Sequence, residues 1–189
     1  MFDELPTESR GWRRPTWLLL LVVASVTFSL GFACATPFVA FAAIAAGTLP
    51  RRDAYLVALG VWLANQVVGF GFLHYPWTSD CLAWGGALGV TTLLATAAAR
   101  LAVRSLDAAW PVARGALSFL AAYAAYEVAL LGFSLWLGGI EHHTLAIQGR
   151  VFAVQMVAMI GLLVLDRIGV TIGIAPASGR SRPLTTRPA

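Results

Sequence analysis

Lysine is absent from this chain, and charge of either sign is scarce: of 189 residues, 12% are charged and 59% hydrophobic, and all thirteen basic residues are arginine. That is about half the charge density of a soluble domain, which points to an integral membrane protein. A GxxxxGK[ST] phosphate loop, a GxGxxG strand turn, an HExxH pair and a CxxC pair are all missing. Their absence disfavours an ATPase or a dehydrogenase, so any nucleotide hydrolysis that drives the protein must come from a partner. No internal repeat is visible. Between Thr16 and Val170 nearly every residue belongs to an apolar run or a short connection, which leaves one domain and no separate soluble module.

What is present is a series of uncharged runs near the length of about 20 residues that a helix needs to cross hydrocarbon. The stretch from Pro15 to Pro50 is too long for one helix and is broken by Gly31 and by Ala35, Thr36 and Pro37. Helices are expected over 16–33, 36–49, 54–73, 81–99, 111–137 and 151–165. Pro111 suits a first helical turn. The second and sixth are short, so they are steep, extended by flanking residues, or enclosed by protein. The expected architecture is therefore an all-α integral membrane protein with six transmembrane helices. A cytoplasmic segment (1–15) precedes the six-helix domain (16–170), and a polar, disordered cytoplasmic tail (171–189) follows it.

The arginines orient the bundle. With both termini inside, the tails and the loops after helices two and four carry twelve of them, counting Arg114 near the start of helix five, and the outer loops carry only Arg150. This asymmetry obeys the positive-inside rule and supports a multi-pass membrane protein with both termini in the cytoplasm. Scattered over helix ends and tails, the arginines form no continuous face for nucleic acid. The first run also reads as a signal sequence ending in Ala33, Cys34 and Ala35, without changing the orientation of the others.

On this topology the outer end collects His74, His142, His143, Asp80, Cys81, Glu141 and Arg150, which helix packing does not require. Trp77, Trp84 and Trp136 fit an interfacial aromatic belt. His142 and His143 are adjacent, so their side chains diverge and do not jointly suit a metal. Cys81 is expected in the first turn of helix four, capped by Ser79 or Asp80, where the helix dipole favours a thiolate. Three readings stay open for it: a disulfide with Cys34, a small buried hydrophobe, or a functional thiol. Glu127, mid-helix, must face protein or water, with Asn65, Gln66, Tyr123, Tyr126 and Gln155 as candidate partners. Ala42 and Ala46, like Ala43 and Gly47, have the small-residue spacing of close helix packing or of a docking face.

FACATPFVAFAAIAAG and ANQVVGFGFLHYPWTSDCLAWGGALG, set in six helices within fewer than 200 residues, resemble the BtuM family. These are bacterial vitamin B12 transporters related to the S-components of energy-coupling factor transporters. The resemblance implies an S-component-like bundle that takes up cobalamin, with the Cys81 sulfur as an axial ligand to its cobalt, a position that suits a soft thiolate. On that basis Tyr75, Trp77 and Trp84 are expected to wall the corrin, and His74, Asp80, His142 and Arg150 to meet its amide and nucleotide groups. Thiol-dependent decyanation of cyanocobalamin at Cys81 is an accessory hypothesis, secondary to uptake. A coupling module docking through Ala42 and Ala46 is the implied partner besides cobalamin and membrane lipid. The alternatives are an S-component for another small vitamin or metal-containing substrate, and a non-transporting scaffold with a Cys34–Cys81 disulfide.

Overall fold

The structure is a computed structural model that describes residues 12–31, 36–106 and 111–175. Among the described residues it is all-helical: α1 (Arg13–Gly31), α2 (Phe38–Thr48), α3 (Arg51–Gln66), α4 (Ser79–Arg104), α5 (Pro111–Leu137) and α6 (Leu145–Thr171). A π-helical turn, Val67–Phe72, prolongs α3, and a 3-10 turn, Ile140–His142, precedes α6. Five of these helices, counting α3 with its π-turn, are long and apolar enough to cross a membrane, and α2 is shorter.

α2 is the axis of the bundle. It packs against α3, α4, α5 and α6, and every residue from Phe38 to Ala46 is buried. Its sequence, FVAFAAIAAGT, has no polar face to turn outward, which is the pattern of a helix enclosed on all sides. The alanines allow its four neighbours to approach closely. Ala42 and Ala46 are accordingly covered by those neighbours, so in this conformation their spacing serves internal packing and offers no docking face. At its start the Ala40 N–H donates to Gln155 Oε1 of α6 at 3.3 Å, which satisfies an amide that has no partner within the helix.

α1 lies at the side of this core. Its buried stripe, Trp17, Leu21, Ser25 and Ser29, has the four-residue spacing of one helix face, packs against α3, and sets the Trp17 ring over Gly169 of α6. Arg14 clamps the contact: its Nε donates to Asp53 Oδ2 at 2.7 Å, and its second donor meets Oδ1. Asp53 is buried in the first turn of α3, where the amide dipoles also favour a carboxylate. At the same end the Arg100 guanidinium donates to the Leu49 carbonyl at 3.2 Å. The starts of α1 and α3 and the last turn of α4 therefore gather arginine at one end, and the α3–α4 and α5–α6 connections lie at the other.

Two expectations of length are corrected. The sixth helix is not short. It begins at Leu145, capped by Thr144, whose Oγ1 accepts from the Ile147 N–H at 3.3 Å, and it runs past Asp166 and Arg167 to Thr171. Charges near the ends of a long helix do not stop it, because backbone hydrogen bonding continues wherever the polar heads reach water or protein. α4 likewise extends from Ser79 to Arg104, beyond the expected 81–99. The expected fifth helix, 111–137, has the observed bounds.

Replacing Ala45, which is fully buried, by leucine should overpack the axis and cost about 1–3 kcal/mol. Leu19→Ala, on the outward face of α1, should change little. Thermal unfolding in detergent separates the two. Arg14→Gln should cost about 2 kcal/mol, because Asp53 then stays buried with its carboxylate unmatched.

Candidate binding cavity at the end of the bundle

The end opposite the arginines holds a cavity of about 610 Å³, within the range of small-molecule sites. Three helices wall it. α5 presents Glu127, Leu130, Ser134 and Leu137, at the three- and four-residue spacings of one face; α6 presents Ile147, Gln148 and Val151; α4 presents Asp80 and Trp84. A second recess of about 130 Å³, lined by Thr36, Phe38, Asn65 and Gln155 among others, shares Tyr126 and Val151 with the larger cavity and so lies next to it. Around Thr36 runs a polar cluster: the Asn65 amide donates to Thr36 Oγ1 at 2.5 Å, and Ser29 Oγ lies 2.6 Å from the same oxygen.

The α5–α6 connection shapes one wall. Gly138 and Gly139 have φ of +88° and +96°, values that side chains with a Cβ rarely adopt. The pair stops α5 and turns the chain back, so that His143 returns over the last turns of the helix it has just left. Its Nε2 lies 2.7 Å from Ser134 Oγ and its Nδ1 lies 2.8 Å from the Gln148 side-chain nitrogen. Both ring nitrogens are engaged, which fixes the ring plane as part of the wall. Glu127 faces His143, Gln148 and Tyr123, and Tyr123 also donates to the Gln148 carbonyl at 3.3 Å.

Two acceptors in this wall are unmatched. Glu127 Oε1 and Gln148 Oε1 are buried with no hydrogen-bond partner among the described residues. A buried acceptor left unsatisfied costs about 1–3 kcal/mol, and both residues line the same cavity.

Of the residues expected from sequence, Asp80 and Trp84 line the cavity. Cys81 is a free, half-buried thiol at the third position of α4. It follows Asp80 by one residue, which places it about 100° further round the helix, and it is not part of the cavity lining. Its cap is Thr78 rather than Ser79 or Asp80: the Cys81 N–H donates to Thr78 Oγ1 at 3.3 Å. The helix starts earlier than its apolar run, so the capping position moves back with it. Cys34, the expected disulfide partner, lies outside the described residues.

The other expected wall residues are elsewhere. Tyr75 folds back over Gly69, where any Cβ would lie 2.8 Å from the ring, and the Tyr75 N–H donates to the Gly69 carbonyl at 3.1 Å. His74 makes this reversal with φ of +55°. Trp77 packs on Phe70, with ring centroids 4.7 Å apart, and remains 76% exposed. These aromatics fold the α3–α4 connection onto the π-turn, and none of them lines the cavity. Arg150 is exposed on α6 between Gln148 and Val151 without joining the lining. The side chain of His142 lies outside what the structure describes. Sequence reasoning gathered His143 and Glu141 at this end without assigning them to the wall, and missed Ser134 and Gln148. The spacing of Glu127, Ser134 and Leu137 on one helix face was the signal available for α5.

Gly139→Ala should cost about 1–2 kcal/mol through left-handed strain, whereas Gly132→Ala, at an open helical position, should be neutral or slightly stabilising. Thermal unfolding of both variants in detergent checks the contrast. No protein-family model matches this chain, and neither a curated protein nor a solved structure matches it.

Proposed function

We propose that this chain is a bacterial inner-membrane uptake protein of the S-component kind, which binds cobalamin at the end of the bundle opposite its arginines and uses the Cys81 sulfur as an axial ligand to cobalt. The observation that carries the reading is a free thiol in the first turn of α4, between two residues that line a cavity, Asp80 and Trp84. Arginine concentrated at the other end supports an orientation with that end in the cytoplasm and the cavity facing outward. Six crossings follow if the short α2 spans within the shelter of its neighbours.

The corrin occupies the four equatorial positions of cobalt and leaves axial sites, for which a thiolate is a strong, soft donor. The protein therefore has to supply one sulfur and no cluster of ligands. Cobalamin is larger than the cavity. It would lie across the mouth with one edge inside, over the Trp84 face. Cys81 is not in the cavity lining, so its side chain would have to turn toward the mouth for the sulfur to reach cobalt. When the sulfur lone pair bonds to cobalt, a bound cyanide leaves with its own electron pair and takes up a proton. This ligand exchange is the accessory decyanation reading.

A second reading is favoured by two observations, the volume of the cavity and the absence of Cys81 from its lining. The same bundle would then be an S-component for a smaller substrate, with Cys81 as a packing residue.

Purification with cyanocobalamin decides between them. Wild type should show a corrin absorption band shifted from that of the free vitamin, and Cys81→Ala should lose the shift. Retained binding with identical spectra would reject sulfur ligation, and no retention of the vitamin by wild type would favour the smaller substrate. Cys34→Ala should behave as wild type, whereas a Cys34–Cys81 disulfide would leave Cys81 unreactive to a thiol reagent until reduced.

A further inference from the structure

The wall shared by α5 and α6 specifies the chemistry of the group it receives. Among the cavity residues are three carboxylates, Asp80, Glu127 and Glu141, and neither arginine nor lysine. Glu127 Oε1 and Gln148 Oε1 are buried acceptors with no partner among the described residues. The Gln148 side-chain nitrogen donates to His143 Nδ1 at 2.8 Å, so Nδ1 accepts and the Nε2–H donates to Ser134 Oγ at 2.7 Å. The Gln148 amide and the His143 N–H are thus used internally, and the two oxygens are left over.

We infer that the wall between Glu127 and Gln148 is a subsite for a ligand group rich in N–H donors, a primary amide or a protonated amine. Two unmatched oxygens in one cavity are satisfied together by a group with at least two N–H bonds, and an NH₂ or NH₃⁺ end is the smallest that qualifies. A carboxylate or phosphate meets like charge there from Asp80, Glu127 and Glu141. The apolar remainder of the wall, including Trp84 and Leu130, suits a flat or hydrocarbon body behind that end. The subsite rests on the cavity being a ligand site, which the uptake reading assumes, and does not depend on cobalt ligation by Cys81.

The test is equilibrium dialysis of benzamide, benzylammonium and benzoate, three probes on one ring, against the full chain in detergent micelles, with protein-free micelles as the blank. At least one of the first two should bind ten-fold or more tightly than benzoate. Preference for benzamide identifies an amide-bearing ligand, such as the rim of a corrin, and preference for benzylammonium identifies an amine. Glu127→Gln should weaken benzylammonium about ten-fold, and Gln148→Met should weaken both donors. Cys81→Ala should leave the ranking intact, so failure of the vitamin experiment and failure of this one are separable. Benzoate binding as well as the other two, retention of no probe by wild type, or a ranking unchanged in both wall variants would overturn the subsite. A thermal midpoint for each variant, kept near that of wild type, excludes loss by unfolding, and Gln148→Glu, which keeps an acceptor at the same place, should restore donor binding if Gln148→Met fails to fold.

Discussion

Hydrocarbon offers no partner to a backbone N–H or C=O, so a helix too short to cross it can lie at membrane depth only inside protein. α2, of eleven residues, rises about 16 Å, roughly half the thickness of the hydrocarbon layer. Much of the rest of the architecture follows from that constraint. Its polar ends must be met by other helices, and the Gln155 side chain does so at one end. Its sides must be covered, and α3, α4, α5 and α6 cover them. The first residue of α2, Phe38, lines the smaller recess, and that recess adjoins the larger cavity through Tyr126 and Val151.

Much of the helical plan was legible in the sequence, because it rests on local properties. Charge-free runs, Gly31, Pro37, Pro50 and Pro111 punctuate the chain where its helices begin and end, and the fifth helix was placed at its observed bounds. The shortness of the second run allows a steep, extended or protein-enclosed helix, and its burial among four helices decides for enclosure. The length of α6 was hidden, since Arg150, Asp166 and Arg167 interrupt the apolar run without interrupting the hydrogen bonding of the helix. The cap of α4 was misplaced by one or two residues for the same reason: hydropathy marks where a helix becomes apolar, and Thr78 marks where it begins.

The site was less legible because it is assembled from helices distant in sequence. Asp80 and Trp84 share a helix face and arrive at the cavity together. Cys81, between them in sequence, points to another side, and a search by residue type alone cannot separate neighbours that diverge by a helical step. His142 was expected in the site, yet its neighbour His143 is the residue that two adjacent left-handed glycines swing over Ser134. Aromatic residues of the α3–α4 connection looked like walls for a flat ligand, but Phe70 and Gly69 offered Trp77 and Tyr75 nearer surfaces. What unites the site is electrostatic: three carboxylates and an unmatched amide oxygen line a cavity that no arginine enters, while most of the guanidinium groups gather at the other end of the bundle.

Enclosure of α2 is the premise on which both the helix plan and the cavity stand, and it has a direct test. The protein is reconstituted in vesicles containing a phospholipid whose acyl chain carries a carbene-generating group, then irradiated, digested and sequenced by mass spectrometry. Labels should fall on α1, α3, α4, α5 and α6, at outward residues such as Leu19, Leu63, Val90, Leu120 and Val157, and be absent from Phe38 to Ala46. Labelling of that nine-residue stretch as dense as that of α1 would contradict the account.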